Sequence, residues 1–350
     1  MKKLLAVFMA AATALSMTAC GGAAASSTVP ASSQGSTSTA ASGEQFVIKM
    51  GTTSSAKGMP SRSAENFKTI LEDISGGTMT CEVNIASTLG NTAQHYAQLK
   101  HGSLDGFVTA YDTFNVMENG GDFSVVVTPY VFDDMEHFHK WVDSDLYQEM
   151  IAPVEEANNV KVVGTIGDVC PRGLSTSGKP VYSVADVKNL KIRVPETQSM
   201  VKVWEAWGAN PTIISAGELY TSLDSKIADG QDNDVLTTNN SAYAEVQDYY
   251  MELNYIMQAE VLVLSSDCWN RMTEEQQAWV KEATEKAQDT FTAQIASEYD
   301  EAKAHMQDEL NVEFIDVDVQ SFRDAAADAI KQMDGTLFSA GLYDKIRALK

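Results

Sequence analysis

Arg193 is the residue whose type and position suggest binding chemistry most directly. Residues 191–194 have the character of a short β-strand, and the arginine lies near its end. Side chains at the strand ends of an open α/β sheet reach the crevice where ligands bind. A guanidinium group is permanently charged, and its planar donors match a carboxylate in two parallel hydrogen bonds. The sequence therefore predicts an anion site at Arg193, with a surface salt bridge as the alternative.

Motifs for catalysis and cofactor binding are missing from the sequence. It contains no Gly-x-Ser-x-Gly elbow, no Walker loop, and no Gly-x-Gly-x-x-Gly fingerprint after a strand. None of the five histidines belongs to a His-Glu-x-x-His pair, so we expect them to be solvated at the surface. We therefore predict no metal, no cofactor and no enzymatic activity. The five histidines are His95, His101, His137, His139 and His305.

The charge balance excludes two classes of partner. The chain has 350 residues, with 48 Asp and Glu against 25 Lys and Arg, and a net charge of −23. A surface this acidic repels phosphate backbones and anionic headgroups, so nucleic acid is not expected as a partner. A cleft can still reverse the sign of the potential locally. The length suggests about two domains.

The first 43 residues predict a secreted, anchored protein. Lys2 and Lys3 precede an apolar run over 4–17 that is too short to remain as a membrane span. Small residues then lead to Cys20, which resembles a bacterial lipoprotein signal. We expect 1–19 to be a signal peptide and Cys20 to be lipidated; an ordinary secretory peptide is the alternative. The uncharged Ser/Ala/Gly-rich remainder of 20–43 should form a flexible tether. The predicted location is extracytoplasmic, on the periplasmic or outer face of the membrane.

The three other cysteines do not suggest a disulfide framework. Cys81, Cys170 and Cys268 are widely spaced, and no Cys-x-x-Cys pattern occurs. Three buried thiols are expected, with a single bridge as the alternative.

Strands and helices alternate through the rest of the chain. Strand patterns occur at 46–50, 80–85, 104–109, 161–165, 191–194, 212–214, 230–232 and 261–265. Helical patterns occur at 64–74, 92–100, 198–207 and 218–227. This alternation predicts two α/β lobes with parallel sheets. A stretch from Thr273 to Glu309 lacks Pro and Gly and begins like a capping box. It predicts one long helix crossing both lobes, or else two helices with an unmarked break.

A series of motifs in the middle of the chain resembles a known family. The segments 188–195 (KNLKIRVP), 208–212 (GANPT), 218–220 (ELY) and 229–233 (DGQDN) follow in order at close spacing. Together with 129–132 (PYVF) upstream, they are similar to the solute-binding proteins of TRAP transporters, the DctP family. The resemblance extends from Phe46 to the C-terminus.

The resemblance implies a fold and a function. The expected fold is α/β, two-lobed and like the type II periplasmic binding proteins, with a long helix spanning both lobes. Lobe I would comprise 44–168 and about 258–297, and lobe II 169–257 and about 298–350. The chain would be an extracytoplasmic receptor that binds a small organic acid, such as a C4-dicarboxylate or sugar acid, between the lobes. It would deliver that solute to an integral-membrane TRAP permease. An ABC-type substrate-binding lipoprotein and, less favoured, an enzyme acting on small anionic esters are the alternatives.

The resemblance also assigns residues to the ligand. It implies that Arg193 binds the carboxylate, with Arg172 supporting it and Asn233 donating a hydrogen bond. For Arg172 the alternative is a structural pairing between the lobes, and for Asn233 it is turn formation. Where this chain departs from the family pattern, further polar residues are candidates to bind hydroxyls or an amine, with loop solvation as the alternative. They are Asp168, Tyr111, Thr53 and Glu196.

Overall fold

The computed structural model describes residues 45–349, so the predicted signal peptide, Cys20 and the whole predicted tether lie outside the described residues. Eleven strands are present in the described part of the chain. They are β1 (Phe46–Gly51), β2 (Met79–Asn84), β3 (Gly106–Ala110), β4 (Val160–Val169), β5 (Gly173–Thr176), β6 (Lys191–Val194), β7 (Asn210–Ile213), β8 (Gly230–Asn233), β9 (Tyr249–Met251), β10 (Gln258–Ser265) and β11 (Glu313–Ile315).

Eleven α-helices connect these strands within 45–349. They are α1 (Met59–Ile74), α2 (Thr92–Lys100), α3 (Met135–Val142), α4 (Asp145–Asn158), α5 (Gln198–Ala206), α6 (Ala216–Asp224), α7 (Val235–Asn240), α8 (Ser266–Arg271), α9 (Glu274–Asp308), α10 (Val319–Met333) and α11 (Leu342–Arg347). Among them, no helix is long and apolar enough to cross a membrane.

Two mixed sheets replace the purely parallel sheets that the alternation predicts. The first has the order β2-β1-β3-β10-β4, and β10 runs antiparallel to both of its neighbours. The second has the order β11-β9-β5-β8-β6-β7, in which β5 is antiparallel to β8 and β9. Strands β5 and β10 are the strands that the chain enters after it crosses from the other sheet. No helix connects either of them to the preceding strand, so they are not held to the parallel direction that a crossover helix gives.

The chain passes between the sheets at two short segments. Residues 170–172 join β4 to β5, and residues 252–257 join β9 to β10. The first sheet and its helices form lobe I, and the second sheet with its helices forms lobe II. The first crossing follows the end of β4, and the second directly precedes β10.

Helix α9 is one continuous helix of 35 residues. Its N-terminus is fixed by a capping box, in which the Thr273 side chain accepts from Gln276 N and the Gln276 side chain accepts from Thr273 N. Its first half packs on lobe I through Val280 and Ala287. In its second half, Met306 belongs to a buried cluster that includes Val235 and Leu236 of α7 in lobe II. The prediction of one helix crossing both lobes is therefore confirmed.

Glycine allows β4 to lie directly against this helix. A Cβ atom on Gly167 would stand 2.1 Å from Cδ1 of Phe291, which is fully buried. Any side chain at this position would push the helix away from the sheet.

The C-terminal helix departs from the predicted lobe assignment. Residues up to 350 are predicted to belong to lobe II, but α11 packs on the 121–137 region of lobe I. Tyr343 Oη donates to the Pro129 carbonyl oxygen at 3.2 Å, and His137 Nε2 lies 2.9 Å from the carbonyl oxygen of Ile346. The chain therefore returns to lobe I at its end.

The histidine prediction is wrong for two of the five. His95 and His137 are buried, and His95 stacks on Phe107 with ring centroids 4.5 Å apart. Burial lowers the pKa of His95, so its neutral ring serves as a core side chain. The prediction of three buried thiols is confirmed. The structure has three buried cysteines without a disulfide bond among the described residues, Cys81, Cys170 and Cys268.

Candidate functional site

A cavity of about 800 Å³ lies between the two lobes. Lobe I contributes the loop after β1 and the ends of β3 and β4, and lobe II contributes β6, the end of β8 and the start of α6. Several of these are the carboxyl ends of parallel strands, where open α/β sheets place their ligands. Thr53, Arg172, Arg193 and Asn233 line this cavity. Four of the seven predicted ligand residues therefore meet in one place.

Arg193 is held in the sheet by its backbone and by one side-chain hydrogen bond. Strand β6 pairs with β7 and β8, which places Arg193 opposite Thr212 and Gln231. Its Nε donates to the Ile214 carbonyl oxygen at 2.8 Å. The two terminal nitrogens form no hydrogen bond within 45–349, and no carboxylate in that range forms an ion pair with them. They are free to bind a group that enters the cavity.

Burial makes this arginine an unusual cation. The residue is 5% exposed, and desolvation lowers the pKa of its guanidinium group. An arginine pKa still lies far above neutrality, so the group stays charged. The arrangement excludes the alternative of a surface salt bridge and leaves a desolvated positive charge at the cavity wall.

Arg172 is engaged in a buried ion pair. Its Nη2 donates to Asp232 Oδ1 at 3.1 Å and to Asn233 Oδ1 at 3.1 Å. The Asp232 carboxylate also accepts from Tyr255 Oη and from Trp204 Nε1. Burial disfavours the charged guanidinium, but Asp232, Tyr255 and Asp234 together outweigh this effect and raise the pKa of Arg172. A structural ion pair is present, but Arg172 and Asp232 both fall within the predicted lobe II, so it is not the pairing between the lobes that the sequence left open. Arg172 also lines the cavity.

Asn233 is oriented by its neighbours. Its Oδ1 accepts from Arg172, and its Nδ2 donates to Gln231 Oε1. Because both ends of the amide are held, the side chain presents a fixed polar edge to the cavity.

Three predicted site residues lie outside this cavity, which corrects their predicted placement. Tyr111 is buried in an aromatic cluster of lobe I, where its Oη is 2.7 Å from Thr165 Oγ1. Asp168 accepts from Gln288 and lies 2.9 Å from His139 Nε2, on the side of β4 that faces α9. Successive strand residues point to opposite faces, so Val169, and not Asp168, lines the cavity. Glu196 is exposed to solvent.

Sequence reasoning missed an acidic part of the cavity wall. Glu260 on β10 and Asp234, directly after β8, both line the cavity. Glu260 is 4% exposed, and its Oε2 has no hydrogen-bond partner in the described chain. Burial, followed by the charges of Asp112 and Asp234, raises the pKa of Glu260 to about 8. The signal available in the sequence was Glu260 itself, an acidic residue directly before the apolar run 261–265.

Known proteins resemble this chain in sequence and in structure. The family model for bacterial extracellular solute-binding protein family 7, DctP, matches residues 50–336. A solute-binding protein of Roseobacter denitrificans is 25% identical over 84% of this chain and 88% of its own length. The sialic acid-binding periplasmic protein SiaP of Vibrio cholerae is 25% identical over 83% of this chain and 89% of its own.

Solved structures share the fold. A TRAP periplasmic solute-binding protein of Roseobacter denitrificans with bound 3-deoxy-D-manno-oct-2-ulosonic acid superposes with a TM-score of 0.78 at 22% identity, covering 87% of this chain and 100% of its own. One from Sulfurospirillum deleyianum with bound succinate has a TM-score of 0.75 at 18% identity, covering 87% and 99%. The predicted two-lobed periplasmic-binding fold is thereby confirmed.

Proposed function

Because this chain belongs to family 7 of the bacterial extracellular solute-binding proteins, the DctP family, we propose that its inter-lobe cavity captures a small organic acid for a TRAP permease. The observation that carries the proposal is the buried Arg193, which lines a cavity of about 800 Å³ and whose terminal nitrogens have no partner within the described residues. A carboxylate entering the cavity would supply the missing anion in a paired hydrogen-bond geometry.

The wall around Arg193 supports the same assignment. Arg172 and Asn233 line the cavity beside it, and the amide of Asn233 is already held in place. A preorganised site loses little conformational entropy when the ligand arrives. We therefore assign the carboxylate to Arg193 and Asn233, with Arg172 holding both Asn233 and the buried Asp232.

The connections between the lobes support capture by closure. Only two short segments and α9 carry the chain between the sheets within 45–349, other than the C-terminal return. A few residues at element ends are sufficient for hinge motion around a ligand. Closure would remove water from the Arg193–carboxylate pair and strengthen it.

Relatives suggest which acids to test first. Names and structures of similar proteins refer to sialic acid, 2,3-diketo-L-gulonate, galacturonate and succinate. We propose a C4-dicarboxylate, sugar acid or related acid as the solute of this chain, released unchanged to the permease. Recovery of the bound solute without chemical conversion would support a receptor, whereas turnover would indicate an enzyme.

We also propose that the protein is held at the membrane by a lipid on Cys20. The evidence is the basic, apolar and small-residue pattern before this cysteine and the uncharged tether after it. Mass spectrometry of the membrane-extracted protein should find Cys20 as the N-terminal residue, with a diacylglyceryl group on its sulfur. A mature protein without lipid on Cys20 would refute the lipid anchor.

The function is tested by calorimetric titration of ligand-free protein with a set of small acids. At least one acid should bind to the wild type, and Arg193→Ala should lose that binding. Arg323→Ala is the matched control, since Arg323 stacks on Tyr130 away from the cavity and should leave the affinity unchanged. Equal affinity in the wild type and Arg193→Ala would refute the proposal.

A further inference from the structure

Glu260 lines the cavity and, unlike the two aspartates that act on its pKa, lacks a partner. Asp234 Oδ1 accepts from Thr237 N at 2.9 Å, and Asp112 Oδ1 accepts from Gln258 Nε2 at 3.3 Å. Within the described chain, Glu260 forms no ion pair, and its Oε2 accepts no hydrogen bond. A buried polar group without a partner costs stability, so its presence at a cavity wall calls for a ligand.

The charges around Glu260 are all of its own sign. Asp112, in the segment after β3, and Asp234, before α7, are the charged groups that act on it. The positive charge of Arg172 partly offsets the raised pKa of both aspartates. At Arg193, the charge of Asp232 raises the pKa and the charge of Arg172 lowers it. The cavity wall therefore carries two arginines, Arg172 and Arg193, together with the acidic residues Asp234 and Glu260.

We propose that the solute of this receptor carries a positively charged nitrogen as well as a carboxylate, and that Glu260 binds this nitrogen. The inference rests on the proposed function, because Arg193 receives the carboxylate of the same molecule. An amino-carboxylate would give a partner to the guanidinium and to the lone carboxyl oxygen at once.

An organic cation fits better than a metal ion. Within residues 45–349, no group of three or more His, Cys, Asp or Glu side chains is placed to hold a metal. The carboxylates of Asp112 and Asp234 are already committed to Gln258 and to the backbone of α7. A single ammonium group needs only one ionised carboxylate within hydrogen-bond distance.

Proton release on binding distinguishes an acid that carries a charged nitrogen from an acid that carries a hydroxyl group in its place. With its pKa raised to about 8, the Glu260 carboxyl group is mostly protonated at pH 7. A cation beside it favours the ionised form, so binding at pH 7 should release about one proton. A hydroxyl group could bind to the protonated carboxyl and would release none.

The experiment uses matched pairs of acids that differ in their nitrogen. The pairs are alanine with lactate, aspartate with malate, glutamate with hydroxyglutarate, and glucosaminate with gluconate. Each is titrated into ligand-free protein at pH 7 in two buffers of different ionisation enthalpy, which reports the protons released. We expect the nitrogen-bearing member of at least one pair to bind about 30-fold or more tightly than its partner, with release of a proton.

Two variants locate the effect. Glu260→Gln should abolish both the preference for nitrogen and the proton release, while weaker binding of the acids remains. Glu155→Gln is the matched control, because Glu155 is a partly buried glutamate that pairs with Lys161 elsewhere in lobe I. It should change neither quantity. Thermal unfolding of both variants verifies that they fold, and the proton count in the wild type does not depend on any variant.

Three outcomes would overturn the inference. A nitrogen-free acid that binds as tightly as its amino partner, needs Arg193 and releases no proton would refute it and leave the proposed function intact. Binding of nitrogen-free acids that requires added calcium or sodium would assign Glu260 to a metal ion instead. If no acid of either kind binds, the proposed function fails, and this inference fails with it.

Discussion

Replacing Arg193 by methionine separates a ligand-binding role from a structural one. Methionine keeps a long, flexible side chain and removes the guanidinium group. In the ligand-free protein this deletes one hydrogen bond, from Nε to the Ile214 carbonyl oxygen, which is worth about 1 kcal/mol. It also removes a desolvated charge that has no carboxylate ion pair in the described chain. These effects oppose each other, so the free energy of unfolding should change by no more than about 1 kcal/mol.

The effect on binding should be far larger. With a solute bound and the lobes closed, its carboxylate would be buried without its main partner. Truncating one member of such a pair costs about 2–5 kcal/mol, which corresponds to roughly 30-fold to 4000-fold weaker binding. Arg193→Lys should fall between the wild type and Arg193→Met, because a single ammonium cannot reproduce the two parallel hydrogen bonds.

Urea denaturation of ligand-free protein and calorimetric titration with the bound acid measure the two quantities. Arg323→Met serves as the control, with little change expected in affinity. A loss of more than about 3 kcal/mol in unfolding free energy, with unchanged affinity, would show that Arg193 is structural and refute the reasoning.

Three further predictions concern stability and its dependence on pH. The pKa of Glu260 is raised from 4.5 to about 8, so the ligand-free protein should lose stability as the pH rises through that window. Glu260→Gln should remove this loss and stabilise the protein by about 2–4 kcal/mol at pH 9, measured by urea denaturation. The hydrogen bond with Asp168 raises the pKa of His139, so its stabilisation is present below pH 6.5 and is lost as the pH rises through the folded pKa. Asp168→Asn should therefore destabilise more at pH 6 than at pH 9, and an equal effect at both would contradict this. Phe291→Ala should cost about 3–5 kcal/mol in thermal unfolding, since the ring is fully buried between α9 and β4; a loss below 1 kcal/mol would contradict that packing.

Features that depend on neighbouring residues in the chain were predictable from the sequence. The start of α9 follows from Thr273 and Gln276, which satisfy each other's backbone N–H groups. Helix α2 matches its predicted bounds of 92–100, and β6 matches 191–194. Arg193 was predicted at the cavity because its place at a strand end follows from the short strand that carries it.

Features that depend on distant pairing were not predictable in the same way. Asp168 and Val169 are adjacent on β4, and only the register with β10 decides which of them faces the cavity. Glu260 enters the cavity because β10 returns to lobe I antiparallel, a direction that local alternation does not predict. His95 is buried by its contact with Phe107, and His137 by its contact with the C-terminal helix. That helix lies more than two hundred residues after His137 in the chain.

A crystal structure of the protein with its solute retained tests the central proposal most directly. We predict a carboxylate oxygen of the solute within about 3 Å of a terminal nitrogen of Arg193, with both lobes in contact with the ligand. A solute bound elsewhere, or one whose acidic group lies away from Arg193 while the guanidinium remains unpaired, would contradict the account.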